Sequence, residues 1–285
     1  METLVMSETR PRKPKIQIPS GQEYIEVKNI VEEHKLHTIC QSGKCPNVGE
    51  CWGRGTATFM ILGDICTRSC RFCAVKTGRP LSVDTEEPMR VAESIRLMRL
   101  KHCVITSVDR DDLADGGSYI WAETIQAVKL LNPDTTIEVL IPDFKGKEDC
   151  IQRVIDAKPH VISHNMETVR RLTREVRRNS NYDRSLAVLK QVADNGVRAK
   201  SGIMLGLGET DEEILETMDD LRASGVLVMT IGQYLQPTKE HLEVKEFISP
   251  EKFKFYEETG LAKGFRFVES GALVRSSYHA EKHVL

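Results

Sequence analysis

Short apolar runs alternating with amphipathic segments constrain this chain more than any other feature. Ala57 to Gly63 (ATFMILG) reads as a buried strand. Further strands are expected at Cys103–Val108, Thr136–Ile141, His160–Ser163, Val197–Leu205 and Val226–Gly232. Helical patterns separate them: Pro88–Leu100, with Val91, Ile95 and Met98 on one face, then Tyr119–Leu131, Lys147–Ala157 and helical material over Met166–Asn195. Thr210 and Glu213 form a capping box that opens a helix to about Ala223. After Pro250 come a last helix and a strand over Phe265–Val268. Six strand-then-helix units imply a parallel sheet with right-handed crossovers. They are too few to close an eight-stranded barrel. The expected fold class is therefore α/β, a partial (β/α)6 TIM-type barrel with N- and C-terminal extensions. The expected division is residues 1–52, a Pro-punctuated arm, a short helix over Tyr24–His37 and the first cysteine group; 53–248, the barrel; and 249–285, the C-terminal extension. Folds of this kind put function on the loops at the C-terminal strand ends. Here those are 66–73, Asp109–Gly117, His164–Glu167, Gly206–Glu209 and Gln233–Thr238.

The net charge of −2 gives no electrostatic case for nucleic acid or an anionic membrane as partner. No apolar run approaches the ~18 residues of a membrane span. Met1–Pro14 lacks the apolar stretch of a secretory signal, so a cytoplasmic location is expected. In such a reducing compartment the eight cysteines read as metal ligands or reactive groups rather than as disulfides.

Six of those cysteines fall in one window. Cys66, Cys70 and Cys73 have the spacing CxxxCxxC, and Cys40, Cys45 and Cys51 the spacing CxxxxCxxxxxC. Thiolates select zinc, copper(I) or iron–sulfur clusters. A structural zinc site wants four ligands, usually as two close pairs, and neither triplet offers that. Three thiolates on a tight loop suit three irons of a 4Fe–4S cubane and leave the fourth iron open. A zinc knuckle completed by His34 or His37 is the alternative for the first triplet. Cys103, in an apolar strand, reads as a small core residue, and Trp121 as core packing.

Cys66-Thr-Arg-Ser-Cys70-Arg-Phe72-Cys73, directly after an apolar strand, resembles the signature of the radical S-adenosylmethionine superfamily. The stretch Cys40–Trp52, the run Gly55–Asp64, the segment Asp109–Gly117 and the terminal Arg275-Ser-Ser-Tyr278 resemble the lipoyl synthase family across nearly all of residues 35–280. Lys13-Pro14-Lys15-Ile16 departs from that family in lacking a Trp. Other sulfur-inserting radical enzymes, such as biotin-synthase-like proteins, lack the upstream triplet and the RSSY tail. A zinc-stabilised binding protein is the non-enzymatic alternative.

The resemblance implies a sulfurtransferase with two 4Fe–4S clusters and S-adenosylmethionine. One cluster, on Cys66, Cys70 and Cys73, would generate a 5′-deoxyadenosyl radical. The other, on Cys40, Cys45, Cys51 and Ser277 (or Ser276), would be the sulfur donor. Two sulfurs would enter at carbons six and eight of an octanoyl chain. Implied partners are octanoylated lipoyl carrier domains, namely acyltransferase subunits of dehydrogenase complexes and the glycine cleavage H protein. An electron donor such as flavodoxin or ferredoxin and an iron–sulfur carrier protein are also implied.

Phe72 accompanies the first cluster in the superfamily's pattern. By the same resemblance Asp115, Gly116 and Gly117 would hold the amino group of S-adenosylmethionine, although an Asp-Gly turn is the plainer account. His164, Asn165 and Glu167, at the fourth strand end, would hold the ribose hydroxyls, or Asn165 and Glu167 would cap the next helix. Gly206 lies in a segment, GIMLGLGE, like the one that contacts adenine, with Met204 where an Ile is usual; a simple Gly-rich turn is the alternative. Arg184 would pair with the methionine carboxylate or lie on the surface. Arg170, Arg174 and Arg177 fall on one helical face, with Arg171 and Arg178 nearby, either solvated or docking an acidic carrier domain.

Overall fold

The computed structural model describes residues 45, 47–53 and 56–284, together with residues 25, 28, 29 and 38. The arm Met1–Ser20, most of the Tyr24–His37 helix, both zinc-knuckle histidines and Cys40 lie outside the described residues.

Seven strands form one sheet: β1 (Thr56–Ile61), β4 (His102–Ser107), β5 (Thr136–Leu140), β6 (Val161–Ser163), β7 (Arg198–Leu205), β8 (Val228–Gln233) and β9 (Phe267–Gly271). Every neighbouring pair is parallel, and spatial order follows chain order. Among the described residues β9 does not pair with β1, so the barrel stays open. A separate parallel pair, β2 (Ile65–Cys66) and β3 (Lys76–Thr77), flanks the second cysteine triplet.

All six expected strands are present. The seventh exceeds the expected count: the strand read at Phe265–Val268 runs over Phe267–Gly271 and pairs with β8 from Val228↔Phe267 to Gly232↔Gly271. Its crossover helix explains this. α8 (Pro250–Ala262) starts with Ser249 capping Lys252 N–H and Pro250 in the first turn, a strong start signal. It completes one more β/α unit.

The connecting helices cover the outside of the sheet. They are α2 (Glu87–Leu97), α3 (Ser118–Leu131), α4 (Glu148–Asp156), α6 (Tyr182–Asp194) and α7 (Asp211–Ala223), each burying an apolar face. Thr210 and Glu213 make the full capping box expected of α7. Trp121, Cys103 and Cys150 are all buried in the core, as expected of Trp121 and Cys103. The region Met166–Asn195 is not one helix. It breaks into a 3-10 turn (Arg170–Leu172), α5 (Thr173–Val176) and α6. Arg177 leaves helical geometry at φ −126°, and the Asn181 side chain accepts from Arg184 N–H to begin α6 afresh.

Inside the barrel, Lys200 Nζ on β7 lies 2.8 and 2.9 Å from the two carboxylate oxygens of Glu138 on β5. Ser163 on β6 donates to the same carboxylate. A 3-10 turn at Ala280–Val284 lies against β4 and β5, with Arg198 donating to the His283 carbonyl (2.6 Å). The N-terminal helix α1 (Val48–Gly53) packs on β1.

Candidate active site

The second cysteine triplet begins where β1 ends. Leu62 (φ +68°) and Gly63 (φ +94°) turn the chain, and Leu62 N–H donates to Glu87 at the start of α2 (2.7 Å). The β2–β3 pair then closes the loop, with Gly78 N–H donating to the Cys66 carbonyl. Two distant segments hold its middle: Arg71 N–H donates to the Val176 carbonyl (3.0 Å), and Leu242 N–H donates to the Arg71 carbonyl (3.2 Å). His241 donates from Nε2 to the Cys73 carbonyl (2.9 Å). Phe72 packs against the core beside these contacts.

The three thiols are free and half-buried. Cys66 Sγ accepts from the backbone N–H groups of Arg68 (3.4 Å) and Asp109 (3.3 Å). Burial, with the Asp109 carboxylate adding to it, pushes the Cys66 thiol up to about 11. Burial takes Cys70 up to about 12, with the Arg177 guanidinium acting in the opposite direction. Burial also raises Cys73. The thiols are therefore protonated in the metal-free chain, and metal loading must release their protons.

Among the described residues no three His, Cys, Asp or Glu side chains converge as a single ion would require. A cubane asks for something else, one thiolate on each of three irons, and a loop of three free thiols with N–H donors aimed at one sulfur fits that donor set. Ser107 Oγ and Asn165 Oδ1, from the ends of β4 and β6, are buried without a hydrogen-bond partner. Buried polar atoms of this kind are satisfied by a bound ligand or by water.

A charged lattice underlies the loop. Arg68, 4% exposed, forks onto Asp111 (2.8 and 2.9 Å) and reaches Asp143 (2.7 Å). Burial alone would raise the Asp143 carboxyl. The Arg68 guanidinium overrides this and, with Arg184, holds it far below the usual carboxylate range. Arg184 donates from Nε to Asp143 (2.7 Å) and from Nη2 to the Asn179 carbonyl (2.9 Å). It is thus neither a free surface arginine nor an open fork.

The other expected contacts fall as follows. Asp115 accepts from Gly117 N–H (3.0 Å) and Tyr119 N–H (2.9 Å), which anchors the start of α3. Gly116 and Gly117 have φ of +61° and +84°, and a Cβ on them would meet Phe144 at 3.0 Å and Leu62 at 2.5 Å. Asn165 donates to Glu167 (3.1 Å), whose backbone is locked onto β7 by bonds to Gly202 and Met204. Gly206 passes so close to Gln233 and the Glu246 carbonyl that a Cβ would lie 2.3 Å from each, and its N–H donates to Glu209. Gly206, Gly116 and Gly117 therefore each have a packing requirement independent of any ligand.

Reading the arginines as one exposed face is incorrect. Arg170 pairs with Asp183 and Asp220, and Arg171 forks onto Glu213. Arg177 is only 6% exposed and faces inward, because the helix breaks at that residue. Arg174 and Arg178 remain exposed. The sequence reading missed Arg68 and Asp143 as site residues and placed Arg177 on an exposed face. Arg68 had a signal, its place inside the cysteine loop, whereas Asp143 and Arg177 enter only through folding.

The upstream cysteines meet the C-terminal tail. Asn47, between Cys45 and Cys51, donates to the Leu273 carbonyl (2.6 Å). The Tyr278 hydroxyl lies 3.5 Å from Glu50, and Arg275 is close enough to Cys45 for each to perturb the other. Ser276 and Ser277 sit half-buried in the turn between them, with Tyr278 N–H donating to the Arg275 carbonyl. The Val274 carbonyl packs over Gly232 at the end of β8, so this assembly stands at the same barrel mouth as the strand-end loops.

Comparison with known proteins agrees with this architecture. Residues 60–221 match the model of the Radical SAM superfamily. Lipoyl synthase of Phocaeicola vulgatus is 65% identical over 270 residues, covering 95% of each chain. Lipoyl synthase of Christiangramia forsetii is 62% identical, covering 96% of this chain and 94% of its own. A mitochondrial lipoyl synthase of Nematostella vectensis is 60% identical, over the whole of both chains. Among solved structures, Streptococcus suis SuiB bound to its precursor peptide SuiA aligns at a TM-score of 0.61 and 11% identity, over 91% of this chain and 55% of that one. Methylornithine synthase aligns at 0.54 and 14%, over 77% and 72%. These two share the fold alone. Matched end to end at this level of identity, with the cysteine loop at the mouth of a partial barrel, the chain belongs to the lipoyl synthase family of radical S-adenosylmethionine enzymes.

Proposed function

We propose that this enzyme inserts two sulfur atoms at carbons six and eight of an octanoyl chain carried on a lipoyl domain. The observation that carries this reading is the joining of Cys45–Cys51 to Arg275–Tyr278 at the barrel mouth that also bears Cys66–Cys73. Two chemistries are needed, and two thiol-bearing sites share one opening.

When bound to Cys66, Cys70 and Cys73, a 4Fe–4S cluster with S-adenosylmethionine supplies a carbon radical able to take hydrogen from an unactivated carbon. The chain's own part is orientation. The Arg68 and Asp109 N–H groups fix the Cys66 sulfur, and His241 fixes the Cys73 backbone. Asn165 and Glu167 hold ribose hydroxyls, and Asn165 Oδ1 is a buried acceptor without a partner. Asp115, Gly116, Gly117 and Gly206 would shape the remaining wall, and Arg184, held by Asp143 and the Asn179 carbonyl, would pair with the methionine carboxylate. Cys40, Cys45, Cys51 and Ser277 would hold a second cluster, which would supply the sulfur. A serine is a weaker ligand than a thiolate and would suit a cluster that gives up its sulfur.

This reading keeps the division into a cluster-bearing arm (1–52), a barrel (53–248) and a C-terminal extension (249–285). The thiols of Cys45, Cys66, Cys70, Cys73, Cys103 and Cys150 are free, which supports a reducing, cytoplasmic setting. Among the described residues no helix is long and apolar enough to cross a membrane. Partners are octanoylated carrier domains, a flavodoxin- or ferredoxin-like donor and an iron–sulfur carrier.

The test is an anaerobic reaction of the reconstituted enzyme with an octanoylated carrier peptide, read by mass for two added sulfurs. Cys70→Ala abolishes S-adenosylmethionine cleavage. Cys45→Ala retains cleavage and gives no sulfurated product; product from that variant refutes the donor assignment. Bound zinc without visible absorption would overturn the whole reading.

A further inference from the structure

Arg177 is a buried cation with no ion-pair partner among the described residues. Among the described residues no carboxylate lies within 4 Å of its guanidinium, although it is only 6% exposed. Two neutral groups anchor it: Nη1 donates to the Met166 carbonyl (3.0 Å) and to Ser185 Oγ (3.3 Å). Ser185 is held in turn by His164, whose Nδ1 donates to the Ile141 carbonyl (2.8 Å) and whose Nε2 accepts from Ser185 Oγ (2.9 Å). That relay fixes His164 neutral at its far end and the guanidinium at the other. The residue before Arg177 is bonded to the cysteine loop itself, Val176 C=O accepting from Arg71 N–H between Cys70 and Cys73.

Leaving a guanidinium buried and unpaired is costly. Its charge is felt at Cys70, Glu167 and Asp109, the anionic side of the site. A cubane with three thiolates is an anion, and it gains a further negative charge on reduction. We propose that Arg177 is the counter-charge for the cluster on Cys66–Cys73, a positioning residue that favours the reduced cluster and so sets its potential. This inference rests on the cluster reading of that loop.

The experiment is a spectroscopic redox titration of the full-length protein, reconstituted anaerobically and free of S-adenosylmethionine. A Cys45→Ala background leaves one cluster to be read. Parent, Arg177→Lys, Arg177→Gln and Arg177→Met are compared. Removing a nearby positive charge makes reduction harder. At the parent's midpoint the Gln and Met variants should show the oxidised-to-reduced ratio raised about tenfold, which is about 59 mV for one electron. Arg177→Lys should stay near the parent. If Gln and Met fail to fold or to take up iron while Lys succeeds, the charge is required and the proposal stands. An unchanged midpoint in loaded Gln and Met variants overturns it, as does Lys failing alongside them, because geometry rather than charge would then matter. A shift seen only after S-adenosylmethionine is added also overturns it, in favour of a ligand contact. If the parent loads no cluster, the cluster reading itself fails, an outcome distinct from all of these.

Discussion

Asn47 and Leu273 are joined by a 2.6 Å hydrogen bond from amide side chain to backbone carbonyl, although 226 positions separate them. This bond ties the segment carrying Cys45 and Cys51 to the turn carrying Ser276 and Ser277. A site assembled from both ends of a chain depends on such ties, because neither segment holds the geometry alone.

Asn47→Ala removes that tie. Losing one partly buried hydrogen bond costs about 1 kcal/mol, roughly a fivefold change in the joined population. Iron bound at the upstream site should fall by about that factor under competing chelator, while S-adenosylmethionine cleavage persists. Iron analysis and a cleavage assay on the same preparation check it. Equal loss of both would show that the bond supports the whole barrel.

The Lys200–Glu138 pair, with each side chain 1% exposed, gives a sharper expectation. Lys200→Met leaves a buried carboxylate whose remaining partner is the Ser163 hydroxyl. Breaking a buried pair from one side costs about 3–5 kcal/mol, whereas replacing both partners is close to neutral. Urea unfolding should therefore show Lys200→Met strongly destabilised and Lys200→Met with Glu138→Leu largely restored.

His102 sets a pH dependence. It is 1% exposed, and burial pushes it down to about 4, with Nδ1 against Thr136 Oγ1 at 2.7 Å. Its folded value lies below its unfolded value near 6.5, so the unfolded chain takes up the proton first. Its contribution is fully present above about pH 6.5 and is lost as pH falls toward about 4, at about 1.4 kcal/mol per pH unit. Denaturation of the metal-free protein across that window should show the slope, and His102→Gln should lessen it by one proton.

Gly117 and Gly63 separate backbone strain from close packing. Both have positive φ, but a Cβ at Gly117 would lie 2.5 Å from Leu62 Cδ1, while one at Gly63 meets nothing within 4 Å. Gly63→Ala should cost only the left-handed penalty of about 1–2 kcal/mol. Gly117→Ala should cost more by about 1–3 kcal/mol for overpacking. Thermal unfolding of the two variants checks the difference; equal losses would mean that Leu62 yields freely.

Strand positions were legible because strands covered on both faces read as continuous apolar runs, as ATFMILG does at β1. The capping box at Thr210 and Glu213 was legible because both partners lie within one helical turn. The arginine face was misread for the complementary reason. Periodicity assumes that the helix continues, and Arg177 stands where it stops. At Asp115 the plainer Asp-Gly turn was legible beside the ligand contact that the resemblance implies, and the structure shows that local role, its carboxylate accepting from the N–H groups of Gly117 and Tyr119 at the start of α3.

By itself the sequence determined the alternation of strand and helix, the spacing of both cysteine triplets and the family resemblance. All of these are written in neighbouring residues. Only the tertiary structure decided that β9 joins the sheet, that the Cys45 segment meets the Arg275–Tyr278 turn, and that Arg177 lies buried under the cysteine loop. The reason is physical. Local patterns reflect turn geometry within a few residues, whereas burial and charge pairing depend on which strands the sheet sets side by side.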